Sequence, residues 1–126
     1  MKHKILVVDD EAMITELLSD HLGDEGYEVY TASCADHAFK LLPKNPDLII
    51  LDINMPGTDG LELCKNIREH VSCPILFVTA RITEQDKING LQYGGDDYIT
   101  KPFSLKELSA RIAAHLRRDE RTRSSS

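Results

Sequence analysis

Short runs rich in Val, Ile and Leu alternate five times with stretches of helical periodicity, and few folds accommodate that alternation. The runs predict strands over Lys4–Val8, Glu28–Ala32, Asp47–Leu51, Pro74–Val78 and Asp97–Ile99. The first, third and fourth are almost continuously apolar, as strands buried on both faces of a parallel sheet must be. The second alternates, with Tyr27, Val29 and Thr31 set against Glu28 and Tyr30, which suits a sheet edge. Between the runs, Ile14, Leu17, Leu18, His21 and Leu22 recur at helical spacing, and Leu105, Leu108, Ile112 and Leu116 repeat the pattern in the last helix. Ser33 with Asp36, Thr83 with Asp86 and Ser104 with Glu107 read as capping boxes. Five βα units imply an α/β fold: a doubly wound parallel sheet with right-handed crossovers and helices on both faces.

With 126 residues, 41% hydrophobic and 29% charged, the chain suits one domain with a single continuous core. Residues 1–118 are read as that domain. Periodicity stops after Arg118, so 119–126, ending in Ser124-Ser125-Ser126, reads as a linker or disordered tail. No apolar run is long enough to span a bilayer, and the N-terminus reaches Asp9 too soon for a signal peptide, so a cytoplasmic location is expected. The net charge of −6 argues against direct nucleic acid binding by this domain. Only the tail is basic, and Asp119 and Glu120 interrupt Arg117, Arg118, Arg121 and Arg123. Cys34, Cys64 and Cys73 form no C-x-x-C pair and read as free thiols. The five histidines show no ligand spacing and are assigned no role.

Ligands of open α/β sheets bind outside the carboxyl ends of the strands. Strand one ends in Asp9-Asp10 with Glu11 following, strand three in Asp52, strand four in Thr79, and Lys101-Pro102 follows strand five. Taken singly, these residues could be helix caps or turn formers. As a set, three carboxylates brought to one sheet edge repel one another and need a cation or a raised pKa. Oxygen ligands without histidine or thiolate favour a hard ion, Mg²⁺. Asp52, on the central strand, is the best nucleophile toward phosphorus, with Lys101 and Thr79 placed to hold phosphoryl oxygens.

Four segments in order, Ile5–Glu11 (I-L-V-V-D-D-E), Leu51–Gly60 (L-D-I-N-M-P-G-T-D-G), Val78–Arg81 (V-T-A-R) and Asp96–Phe103 (D-D-Y-I-T-K-P-F), closely resemble the receiver domain of bacterial two-component response regulators. The resemblance covers Lys4 to Arg118. It implies the flavodoxin-like strand order 2-1-3-4-5 and a switch phosphorylated on Asp52 by a sensor histidine kinase. Asp10 would then ligate Mg²⁺ directly, Asp9 mostly through water, Asp52 itself, and Asn54 by its backbone carbonyl. Thr79 and Lys101 would hold the phosphoryl oxygens, Tyr98 would turn inward as Thr79 moves, and the Lys101–Pro102 bond would be cis. Such a domain takes part in its own phosphoryl transfer and slow self-dephosphorylation without being a turnover enzyme.

Within that family, L-x-Y-G-G-D-D-Y-I-T-K-P-F-S-x-K-E-L-x-A-R-I followed by L-R-R resembles the OmpR/PhoB type, whose output is a winged-helix DNA-binding domain. That resemblance implies transcription control and a homodimer on phosphorylation, formed by the fourth helix, fifth strand and fifth helix. Lys87 with Glu107 and Asp97 with Arg111 would be its charge pairs, around Ile88, Leu91 and Ala110. Two positions depart from the pattern. Gly95 stands where alanine is commoner, which would loosen the turn before strand five. Asn54 stands where a large apolar residue is commoner, while Arg81 is ordinary. Both Asn54 and Arg81 adjoin the path of an attacking water, and Asn54 is expected to speed self-dephosphorylation relative to methionine.

Three other classes of protein share parts of this pattern. A haloacid dehalogenase-type phosphatase needs D-x-D on its nucleophile strand, whereas Asp52-Ile53-Asn54 lacks the second carboxylate. A flavodoxin-like electron carrier needs a Ser/Thr/Gly-rich phosphate loop, where this chain has Asp9-Asp10-Glu11. A freestanding receiver adaptor docking on a protein partner shares every motif and differs only in having no output domain beyond its tail.

Overall fold

A computed structural model describes residues 2–124. The elements run in the order β1 (Lys4–Val8), α1 (Ala12–Asp24), β2 (Glu28–Ala32), α2 (Ala35–Leu41), a 3₁₀ turn (Leu42–Lys44), β3 (Leu48–Leu51), β4 (Asn54–Met55), β5 (Thr58–Asp59), α3 (Gly60–Arg68), β6 (Ile75–Thr79), α4 (Glu84–Gln92), β7 (Asp97–Thr100) and α5 (Leu105–Ser124). Five strands form a parallel sheet in the order β2-β1-β3-β6-β7. Counting only its strands, that is the expected 2-1-3-4-5, with the alternating β2 at one edge. β4 and β5 make a separate antiparallel hairpin, absent from the sequence-based expectation. At two residues per strand its signal is too short to detect against the surrounding turn residues.

Alternation along the central strands divides the core into two layers. Ile5, Val7, Ile50, Leu76 and Val78 point to the face covered by α1 and α5, which contribute Leu18, Leu22, Leu108, Ile112 and Leu116. Leu6, Val8, Ile49, Leu51, Ile75 and Phe77 point to the other face, covered chiefly by Ala38 of α2 and Leu63, Cys64 and Ile67 of α3. Burying each such large apolar side chain stabilises the fold by about 1.5–3 kcal/mol. α4 also lies on that face and buries only Gly90 fully.

Thr83 caps α4 as expected: its hydroxyl accepts from the Asp86 amide and donates to the Asp86 carboxylate. The Ser104 box is half-formed, with Ser104 Oγ accepting from the Glu107 amide while the Glu107 carboxylate turns to Arg111. The Ser33 box does not form. α2 begins one residue later, with Cys34 in the N-cap position and no side-chain cap, so Asp36 is out of register. Leu17 is also displaced from its expected core role: it stays 43% exposed because α1 buries only Leu18 and Leu22 fully. Beyond Arg118, where core periodicity ends, α5 continues to Ser124 as a polar helix in which the Thr122 hydroxyl donates to the Arg118 carbonyl. Residues 125 and 126 of the expected tail lie outside the described residues. Among the described residues, no helix is long and apolar enough to cross a membrane.

Candidate functional site

The carboxyl ends of β1, β3 and β6 deliver Asp9, Asp52 and Thr79 to one edge, each almost fully buried. Both aspartates are held by the same local device, in which one carboxylate oxygen accepts the amide two residues on. Asp9 Oδ1 accepts from the Glu11 amide at 2.9 Å, and Asp52 Oδ1 accepts from the Asn54 amide at 3.0 Å. Their second oxygens face Lys101, whose Nζ lies 2.8 Å from Asp9 Oδ2 and 3.1 Å from Asp52 Oδ2. The Lys101–Pro102 bond is cis, as expected. Gly60 matters to this edge because a Cβ there would lie 2.4 Å from Ile53 Cα and 2.6 Å from the Asp52 carbonyl oxygen. Only glycine lets the start of α3 approach the Asp52 backbone so closely.

Around this centre the hollow is lined by Asp10, Glu11, Asn54, Met55, Pro56 and Ala80. Thr79 Oγ1 accepts weakly from the Arg81 amide at 3.4 Å. Arg81 reaches across the mouth, donating from Nε to Asn54 Oδ1 at 3.2 Å, with Asp86 3.8 Å from its other arm. Tyr98 is half-buried, its ring 5.8 Å from that of Phe77, and its hydroxyl donates to the Arg81 carbonyl at 2.8 Å. Burial, with nearby Asp86 adding to it, pushes the Tyr98 phenol up to about 12, so it remains a donor at any physiological pH.

Ligand atoms of Asp9, Asp10 and Asp52 all fall within 4.8 Å of one another, with Asp10 exposed at the rim. Glu11 adds a fourth carboxylate, its Oε1 2.8 Å from Lys101 Nζ. Four carboxyl groups thus crowd one ammonium, which bonds three of them. Burial pushes the Asp9 carboxyl above the usual carboxylate range, partly countered by its bonds from Lys101 and the Glu11 amide. Burial works against the Lys101 charge, yet hydrogen bonds to Asp9, Glu11 and Asp52 hold its pKa well above normal. The donor set is all oxygen, anionic in excess and open to water on the Asp10 side, which fits Mg²⁺.

The residues expected on a dimer face are carried by α4, the edge strand β7 and α5. Lys87, Ile88 and Leu91 are exposed on α4, and Glu107 and Ala110 are exposed on α5. Arg111 and Asp97 are partly covered and joined within this chain: Arg111 donates to Asp97 at 2.8 Å and to Glu107 at 2.9 Å. His115 completes the cluster at 3.1 Å from Asp97 Oδ2, and with His21 against Ser109 and His3 against Glu120, three histidines have partners that the spacing did not reveal. Burial acts to raise the Asp97 pKa, but bonds from His115, the Tyr98 amide and Arg111 together hold it below the usual range. The sequence reading also missed the Glu11–Lys101 contact and the Arg81–Asn54 bridge. Both depend on where loops from distant strands meet.

Comparison with known proteins agrees with this geometry. The family model described as the response regulator receiver domain matches residues 5–113. A two-component response regulator from Clostridium difficile superposes with a TM-score of 0.90 at 36% identity, over 93% of this chain and 98% of its own. The BeF3-activated N-terminal receiver domain of Klebsiella pneumoniae RstA gives 0.86 at 34% identity, over 91% and 99%. A putative response regulator from Chloroflexus aurantiacus gives 0.85 at 39% identity, over 92% and 98%. With that family model matching residues 5–113 and relatives of 34–39% identity covering nearly its whole length, this chain belongs to the response regulator receiver domain family.

Proposed function

We propose that Asp52 is the phosphoacceptor of this receiver and that a sensor histidine kinase is its donor. The observation that carries the reading is the Asp52 carboxylate itself: 3% exposed, one oxygen pinned by the Asn54 amide, the other facing Lys101. An Asp52 oxygen attacks phosphorus in line. The P–O bond forms as the P–N bond to the donor histidine breaks, and the imidazole, protonated at its other nitrogen, leaves as a neutral ring. Lys101 then donates to a phosphoryl oxygen and the Thr79 hydroxyl to another. Asp10 is assigned as the direct Mg²⁺ ligand, Asp9 as one acting mostly through water, with Asp52 and the Asn54 carbonyl completing the set. Bound Mg²⁺ supplies charge neutralisation at the transferring oxygens. Since Asp52-Ile53-Asn54 provides no second carboxylate for turnover, the adduct persists and then decays slowly by self-dephosphorylation.

Phosphorylation adds nearly two negative charges and strong acceptor oxygens at Asp52. Thr79 and Lys101 gain contacts available in only one arrangement of the loops, which shifts the population of the surface formed by α4, β7 and α5, with Tyr98 as its reporter. We assign that surface to a phosphorylation-dependent homodimer built around Ile88, Leu91 and Ala110. Asp97, Arg111 and Glu107 exchange their present partners for those of the second copy, whose Glu107 pairs with Lys87. The domain boundary is placed after Arg118, with 119–126 linking to a winged-helix DNA-binding output, and the protein in the cytoplasm. Support comes from the OmpR/PhoB-like motif and from the RstA neighbour, itself described as an N-terminal receiver. A freestanding adaptor would use the same surface on a different partner.

The test is intact-protein mass after incubation with a small acyl phosphate, with and without Mg²⁺, on the wild type and Asp52→Asn. A single phosphoryl adduct requiring both Mg²⁺ and Asp52 is expected. An adduct on Asp52→Asn, or none under any condition with decay controlled, overturns the assignment.

A further inference from the structure

Lys101 has three N–H donors, and all three are engaged by carboxylates: Asp9 at 2.8 Å, Glu11 at 2.8 Å and Asp52 at 3.1 Å. Asp9 and Asp52 are nearly inaccessible and belong to the acidic centre. Glu11 is different, with a side chain 58% exposed. It occupies the N-cap position of α1, where Ser, Thr, Asp and Asn are favoured because their side chains bond the first helical amides. Glu11 has the extended backbone of a cap, φ −83° and ψ 108°, yet makes no side-chain cap bond. Its carboxylate is turned away from the helix and onto Lys101. The helix gains no cap bond from this side chain, while the lysine gains its outermost acceptor.

We infer that Glu11 is a positioning residue that holds Lys101 in the resting state and competes with the phosphoryl group for it. The inference rests on Asp52 as the phosphoacceptor. A phosphoryl oxygen above Asp52 needs an N–H from Lys101, and every one is already committed. Asp9 and Asp52 are fixed at the buried centre, each pinned by the amide two residues on, which leaves Glu11, exposed and unpinned, as the acceptor from which the lysine is most readily taken. Being exposed, Glu11 releases it at modest cost, so the effect is a bias on the switch and not a block.

Calorimetric titration with beryllofluoride, a non-covalent phosphoryl mimic, at saturating Mg²⁺ tests this on the whole chain, on Glu11→Gln and on Glu11→Ala. An exposed charge pair of this kind changes an equilibrium by about two- to five-fold, so both variants are expected to bind that much more tightly. Glu11→Ala shifts further than Glu11→Gln, because the glutamine oxygen still accepts from Lys101. The gap between variants and wild type narrows as salt is raised. Equal shifts in the two variants mean simple repulsion of the anion and overturn the holding role. A change in melting temperature with unchanged affinity means Glu11 serves only α1 and overturns it too. No binding by the wild type overturns the phosphoacceptor reading, and the role of Glu11 with it.

Discussion

Gly95 lies in the turn into β7, and replacing it with alanine tests how the layer under α4 is packed. A Cβ built there would lie 2.4 Å from Phe77 Cε2, 2.8 Å from Cδ2 and 3.0 Å from the Gly90 carbonyl oxygen. Carbon atoms in contact prefer about 3.5–4.0 Å, so the ring would have to retreat by about 1 Å. It has nowhere to go, being fully buried with Tyr98 stacked at a tilt beside it. Overpacking of this kind costs about 1–3 kcal/mol. Gly95 does not occupy the left-handed region, so alanine would otherwise stabilise by about 0.4–1 kcal/mol through the unfolded chain. The net expectation is a loss of about 1–2 kcal/mol in urea unfolding followed by far-UV circular dichroism, with the m-value unchanged. Phe77→Leu removes the ring edge and alone costs about 1–2 kcal/mol. In that background the new methyl fills vacated space, so Gly95→Ala should become neutral or stabilising, a coupling of about 2 kcal/mol. If Gly95→Ala has the same effect in both backgrounds, or stabilises the wild type, Phe77 is not what the glycine accommodates.

Asp9→Asn should stabilise the domain by about 1 kcal/mol at neutral pH in EDTA, because it removes a buried charge from a crowded anionic site. Burial raises the folded pKa of Asp9 above 3.8, so its charged form penalises the fold at neutral pH, and the penalty fades as pH falls through the folded pKa and is gone below 3.8. Denaturation curves of the two proteins should therefore converge in acid. Asp97→Asn should act the other way, costing about 1–2 kcal/mol at pH 7. The folded pKa of Asp97 lies below 3.8, so its contribution is complete above that value and is lost as pH drops through the folded pKa. Equal stability of the wild type and Asp97→Asn at pH 7 would show the cluster with Arg111 and His115 to be inert. Asn54→Met, which removes the acceptor for Arg81 at the mouth, should slow decay of the phosphorylated form several-fold by radiolabel or mass. An unchanged decay rate disposes of that role. A thiol reagent should label only the exposed Cys34 in the native protein, with Cys64, whose pKa burial pushes to about 11, and buried Cys73 reacting on unfolding alone. Native labelling of either core cysteine would contradict this packing.

Much of this protein is legible in one dimension because its determinants are local. Strand and helix periods state which side chains face the core, and an alternation of five βα units leaves one economical way to bury them. The rule that ligands gather at strand carboxyl ends then assembles Asp9, Asp10, Asp52, Thr79 and Lys101 without any coordinates. What the linear reading could not settle are pairings between loops and helices that owe nothing to period. Glu11 forgoes its helix for Lys101, Arg81 crosses the mouth to Asn54, and His115 joins Arg111 on Asp97. Gly95 read as a loosened turn and proves to be room for the Phe77 ring, since only the sheet register brings Phe77 beside β7. Apolar pattern decides where a side chain must hide, and so the core and the strand ends could be foreseen. Polar side chains at the surface have several partners within reach, and only the folded chain chooses among them.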